Sequence, residues 1–119
     1  MKREIKFRAW DTIQKRMFYA GECKFSLDLS GGLFDDEMSP PLNVSYRFVL
    51  MQYTGLEDKN GKEIYEGDIV KRGKLGNLIK AVKWAENSSH CGWNIVGSSW
   101  RFYQPEVIGN IYENPDLLS

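Results

Sequence analysis

Histidine is almost absent from this chain: His90 is the only one in 119 residues. Cysteine is nearly as scarce, with Cys23 and Cys91 far apart and no C-x-x-C pattern. A structural zinc site takes four nitrogen or sulfur ligands, so a single chain of this composition has too few. The two cysteines read as buried or free thiols of a reducing compartment, not as a disulfide framework. No apolar run is long enough to span a bilayer, and Met1-Lys2-Arg3-Glu4-Ile5-Lys6-Phe7-Arg8 is not followed by the apolar core of a signal peptide. The expected location is therefore the cytoplasm, without membrane attachment. Net charge is missing as well: sixteen Lys and Arg oppose sixteen Asp and Glu. Without a long-range field, binding to nucleic acid or an anionic surface would need a local patch.

What the chain does have is aromatic residues and glycine: four Trp, six Tyr, six Phe and eleven Gly. Its length is that of one domain, large enough to bury a core without metal or disulfide staples. Aromatics favour strands. Ile5, Phe7 and Ala9 alternate with Lys6, Arg8 and Trp10, a period of two that marks a strand. After the polar Asp11 to Lys15, Met17-Phe18-Tyr19 resumes an apolar run, which predicts a hairpin. Phe25, Leu27 and Leu29 predict a third strand. Gly31-Gly32, Asp35-Asp36-Glu37 and Pro40-Pro41 then break the pattern, so residues 30–41 are expected to form a mobile loop.

Tyr46 to Met51 fits either a strand buried on both faces or a short helix, since periodicity does not separate them over so short a run. Asn60-Gly61 favours positive φ at both turn positions and predicts a tight hairpin return. Ile64-Tyr65, the Glu66-Gly67-Asp68 turn and Ile69-Val70 follow. Leu78 to Trp84, Gly92 to Val96 and Val107 to Ile111 are further strand candidates. Short strands at regular spacing with glycine punctuation predict a small barrel or sandwich. No amphipathic pattern reaches helical length.

Several constellations invite a chemical reading. Asp58-Lys59-Asn60-Gly61-Lys62 looks superficially like a calcium loop, yet its glycine falls fourth, Lys62 occupies the fifth position and Ile69 the twelfth. A lysine where a ligand belongs repels the ion. Gly73-Lys74-Leu75-Gly76-Asn77 lacks the spacing of a phosphate-cradling loop and precedes a strand. Ser88-Ser89-His90-Cys91 sets a thiol beside an imidazole, without any sign of the orienting partner that nucleophilic catalysis needs. Asp35-Asp36-Glu37 lies in the Gly/Pro-rich stretch, where carboxylates are solvated instead of poised for proton transfer. No catalytic, metal or cofactor-binding set is assigned. One charge asymmetry stands out: Lys71, Arg72, Lys74, Lys80 and Lys83 have no acid between them, and Trp84, Trp93 and Trp100 follow. Basic positions with exposed aromatics bind single-stranded nucleic acid. Alternation along strands, however, equally puts lysines outward and tryptophans in the core.

Three segments carry a resemblance. Arg3-Glu4-Ile5-Lys6-Phe7-Arg8-Ala9-Trp10-Asp11 resembles the opening of the YopX family, small proteins of phages and prophages of Gram-positive bacteria. Gln52-Tyr53-Thr54-Gly55-Leu56 with Asp58 to Val70 resembles its central motif, and Glu106 to Pro115 its closing one. Lys24 to Ser45 and Gly73 to Tyr103 carry no recognised motif. The resemblance implies one YopX-like domain over 1–119, mainly β. An N-terminal β-hairpin extension would fall in 1–50, and a small SH3-like barrel in 51–119 with Gly67-Asp68-Ile69-Val70 as its first strand. It brings no activity and no catalytic residues. Gly55, Gly61, Gly67 and Gly109 read as backbone requirements, with Ile64, Ile69, Val70, Val107 and Ile111 as core.

Two functions lead on this reading, ahead of an enzyme with an unrecognised site around His90 and Cys91. The first is a non-enzymatic phage or prophage accessory protein that binds a host or phage protein, or itself as a homo-oligomer through free strand edges. The alternative is nucleic-acid binding through Lys71, Arg72, Lys74, Lys80 and Lys83.

Overall fold

A computed structural model describes residues 5–20, 22, 25–27, 32–35, 40, 42–72, 78–86, 91–94 and 105–118, with backbone alone at 72, 85, 86, 91 and 92. Those residues are mainly β. Two compact units divide the chain: Lys6–Met51, and Gln52–Ser119 with Met1–Ile5.

In the first unit, β1 (Phe7–Asp11) pairs antiparallel with β2 (Arg16–Tyr19), bringing Ala9 opposite Phe18 and Trp10 opposite Met17. Ala9, Trp10 and Met17 are buried. A second sheet holds β3 (Phe25–Leu27), β4 (Leu33–Asp35) and β5 (Leu42–Asn43), with β4 in the middle. Leu33 is buried, and its N–H donates to Ser45 Oγ at 2.8 Å. The expected loop over 30–41 is therefore corrected at its centre: Leu33-Phe34 forms a strand because both neighbouring strands offer it a ladder and Leu33 gains burial. The third predicted strand exists over Phe25–Leu27; Leu29 lies outside the described residues. β6 (Phe48–Glu57) resolves the ambiguity at 46–51 in favour of strand and leaves Tyr46 in the preceding turn. In this unit the order is β2-β1-β6.

In the second unit β6 pairs with β7 (Glu63–Tyr65) through a bulge: Tyr53 faces Tyr65, then Leu56 faces Ile64. Gly55 supplies φ +85° there. Thr54 mends the interrupted ladder: its Oγ1 donates to the Ile64 carbonyl at 2.7 Å and accepts the Leu56 N–H at 3.1 Å. Such bulges add a residue to one strand and re-aim its side chains.

The turn from β6 to β7 differs from the expected one. Only Gly61 takes positive φ (+84°), and the turn closes around Asp58. Gly61 N–H donates to the Asp58 carbonyl at 3.0 Å and Asp58 N–H to the Lys62 carbonyl at 2.7 Å. This is a type I turn followed by a left-handed glycine, the usual three-residue hairpin. Asp58 Oδ1 accepts the N–H groups of Asn60 and Lys62, while Oδ2 reaches 49 residues along the chain to the Val107 N–H at 3.0 Å.

Past the Glu66-Gly67 turn, β8 (Asp68–Arg72) is the central strand between β9 (Leu78–Ala81) and β12 (Glu106–Asn110). Ile64, Val70 and Val82 form a buried cluster against which Leu56, Trp93 and Val107 pack. Each such burial stabilises by roughly 1.5–3 kcal/mol. The predicted strand over 78–84 is corrected: it ends at Ala81, and β10 (Trp84–Glu86) pairs instead with β11 (Cys91–Trp93). Val82 sits in the break because its N–H and C=O bond to Asp68 and Gly67 while its side chain enters the core. A short 3-10 turn, Pro115–Leu118, follows β12.

Asp58→Ala is expected to destabilise by about 3 kcal/mol, since three backbone N–H groups lose a charged acceptor at once. Asp58→Asn, with one acceptor oxygen, should lose about half of that. Gly61→Ala should cost about 1 kcal/mol through its left-handed φ. Urea unfolding midpoints at unchanged slope measure all three.

Candidate functional site

The strongest site candidate lies in the first unit, where two turns are held together by charge. Asp11 ends β1 and caps the Thr12–Lys15 turn: its Oδ1 accepts the N–H groups of Ile13 at 2.9 Å and Gln14 at 3.1 Å. Arg47, in the turn before β6, meets it with a two-pronged fork, Nε to Oδ1 at 2.9 Å and Nη2 to Oδ2 at 2.7 Å. Thr12 completes the clamp, its N–H and hydroxyl both donating to the Arg47 carbonyl at 3.0 and 2.6 Å. Asp11 is fully buried.

The Arg47 fork, helped by the two backbone N–H groups, outweighs burial and lowers the Asp11 pKa from 3.8 to about 2. The same pairing raises Arg47. A carboxylate enclosed by four donors stays ionised near neutrality and has no proton to give. It fixes geometry; it does not perform acid-base chemistry.

Beside this pair opens a cleft of about 220 Å³. Phe18, Phe25 and Phe48 form its aromatic wall, Leu42, Val44 and Tyr46 its aliphatic and outer side, and Asp11, Gln14, Asp35 and Arg47 its polar part. Phe48 takes the other two rings edge-on, Phe25 at 4.9 Å and Phe18 at 6.0 Å between centroids. Guanidinium groups already lie over two of the rings, Arg16 at 4.4 Å from Phe18 and Arg47 at 5.4 Å from Phe48. Tyr46 is 76% exposed and Leu42 47%. Asp35, expected in a solvated loop, is half-buried on β4 and lines this cleft.

The basic set is dispersed. Opposite residues of paired strands share a face, and Lys71 faces Ile79 while Lys80 faces Val70, so the two lysines stand on opposite faces of the sheet. Lys71 Nζ lies 3.4 Å from Glu106 Oε1, a carboxylate that Lys59 also approaches. Lys80 Nζ donates to the Asn94 carbonyl. Lys83 is exposed. The Arg72 side chain and Lys74 lie outside the described residues, as do Trp100, Cys23, His90 and the Cys91 side chain. Trp84 is exposed and meets Trp93 edge-on at 5.1 Å.

Asn94 also closes the outer edge of this region. Its Nδ2 donates to the Ala81 carbonyl, its Oδ1 accepts the Lys83 N–H, and its own N–H donates to the Lys83 carbonyl. Among the described residues no group of three or more His, Cys, Asp and Glu is placed to hold a metal ion, and no helix is long and apolar enough to cross a membrane.

Sequence reasoning missed both Arg47 and the role of Asp11, which lie 36 residues apart. The one local signal was an Asp at a strand end before a polar turn. On acidification the sign is fixed: the folded pKa lies below the unfolded one, so the stabilisation is complete above about pH 4 and is lost as pH falls towards 2. A carbon-detected NMR titration should place Asp11 near 2, and Asp11→Asn should flatten the stability profile in that window.

A family model described as YopX protein matches residues 6–119. Among solved structures the chain is similar to the protein EF1440 from Enterococcus faecalis, known from a crystal structure. The identity is 31% and the TM-score 0.63, covering 99% of this chain and 100% of that one. A comparison with curated proteins gives no match. The family match takes in the Asp11–Arg47 clamp, the Asp58 turn and the closing β12 segment alike, and the chain belongs to the YopX family.

Proposed function

We propose that this YopX-family chain is a non-enzymatic accessory protein of a phage or prophage, acting in the host cytoplasm by binding another protein. The cleft of the first unit is the docking site in this reading. One observation carries it: an open aromatic cleft next to an immobilised charge pair, with Tyr46 and Leu42 left exposed at its side. Large side chains exposed around a concavity mark interaction surfaces more than scattered ones do. Asp11, a carboxylate of the cleft, is bound on every side, which supports a binding role over an enzymatic one.

Nucleic-acid binding through Lys71, Arg72, Lys74, Lys80 and Lys83 is the weaker reading. A backbone-tracking groove needs its cations on one surface, and Lys71 and Lys80 occupy opposite faces with partners of their own.

Tagged full-length chain, purified from an induced host with and without nuclease, tests the choice by mass spectrometry. A partner that survives nuclease and is lost with Leu42→Asp supports the proposal, with an expected weakening of at least about tenfold. Partners that vanish on nuclease treatment, or that ignore Leu42→Asp while responding to Lys80→Glu and Lys83→Glu, would overturn it. A second copy of the chain as the captured protein would make the cleft a self-association site.

A further inference from the structure

The chemistry of the cleft narrows what it takes. With a volume of about 220 Å³, it lies below the roughly 300–1,000 Å³ of sites that hold cofactors and drug-sized ligands. Room remains for one large side chain. Its walls are Phe18, Phe25, Phe48, Leu42 and Val44, so that side chain is apolar.

The polar part of the cleft selects a second feature. A guanidinium carries five N–H donors, and Asp11 takes two from Arg47. The remaining three, with the Gln14 side-chain amide and the Tyr46 hydroxyl, make no hydrogen bond to another described residue, although Tyr46 and Arg47 sense each other's charge. Arg47 cannot swing away, because the buried carboxylate fixes its plane. The occupant therefore presents a hydrogen-bond acceptor.

Charge decides which acceptor. Asp11 cancels Arg47, so the clamp offers no net positive charge to the cleft, which disfavours a carboxylate or phosphate ligand. Cations are disfavoured too, since Arg16 and Arg47 already cover two ring faces. A neutral carbonyl next to an apolar side chain satisfies both limits, and a peptide main chain supplies that pair in every residue. We infer that the cleft is a socket for one leucine-, phenylalanine- or tryptophan-like side chain of a partner polypeptide, whose main-chain carbonyl accepts from Arg47. This rests on the protein-binding reading above and names the chemistry of the contact.

NMR titration of the isotope-labelled full chain tests it with N-acetyl-tryptophan amide, N-acetyl-leucine amide, N-acetyl-tryptophan and 3-methylindole. The expected result is saturable millimolar shifts confined to residues 11–14 and 42–48. The neutral amides should bind about tenfold more tightly than 3-methylindole, which keeps the ring without the carbonyl. The carboxylate probe should be weaker than its amide. Leu42→Ser, at an exposed side chain whose loss leaves the fold intact, should abolish the shifts, and Arg47→Lys should bring the amides down to the 3-methylindole level. Equal affinity for all probes, tighter binding of the carboxylate, or shifts away from 42–48 would overturn the inference. Should the socket chemistry fail while a nuclease-resistant partner still depends on Leu42, the protein-binding reading stands alone. If no such partner exists either, both fall.

Discussion

A buried carboxylate at the mouth of a turn attracts more N–H groups than the turn itself supplies, and the second unit is organised around that surplus at Asp58. Two of its hydrogen bonds close the hairpin between β6 and β7, and the third holds the start of β12. Lys59 N–H reinforces the join by donating to the Pro105 carbonyl. Burial pushes the Asp58 carboxyl up, yet the Val107, Lys62 and Asn60 N–H groups, with the charge of Lys62, leave it below the ordinary value. One side chain thus converts a local turn into a long-range constraint, and β12 in turn covers β8, the centre of its sheet.

The same device recurs at other turns of this chain. Asp11 caps the first hairpin turn and then takes Arg47. Asp68 Oδ2 accepts the Tyr65 N–H across the Gly67 turn. Asn110 Oδ1 accepts the N–H groups of Tyr112 and Glu113, and Asn114 Oδ1 accepts the Asn110 N–H. At Gly109 an added Cβ would come within 2.5 Å of that Asn114 oxygen, which is why the closing motif reads Gly-Asn followed by Asn-Pro. Short polar side chains are suited to this because they bond backbone groups a few residues away without crossing the core. In this chain these residues therefore specify turns and their closure. They leave chemistry unassigned.

The candidate cleft follows a different logic. Phe18 and Phe48 come from strands and Phe25 from a separate sheet, while Leu42, Val44 and Tyr46 lie in the stretch leading into β6. Much of that stretch had no recognised motif. Turn-specifying residues are constrained by backbone geometry, which reads similarly in any related chain. A binding surface answers to its partner, so its residues carry no such signature in a single sequence.

Alternation and turn chemistry made much of the scaffold legible. Phe7 to Asp11, Met17 to Tyr19, Ile64-Tyr65, Ile69-Val70 and Val107 to Asn110 are strands, short apolar or alternating runs bounded by glycine or Asx turns. The strand over Leu33–Asp35 escaped notice, since three residues among Gly and Pro give no period and its partners lie elsewhere in the chain. Val82 looked like the interior of a strand, and only the packing of its side chain into the core put a break there. The sequence by itself determined the β class, the turns and most strand positions, because these follow from backbone preferences within a few residues. Tertiary structure alone decided that Asp11 meets Arg47, that Asp58 reaches Val107, that Lys71 and Lys80 face apart, and that three phenylalanines enclose a cleft. Each of those depends on which strands pair and in what register, and hydrogen-bond ladders between distant segments set that pairing.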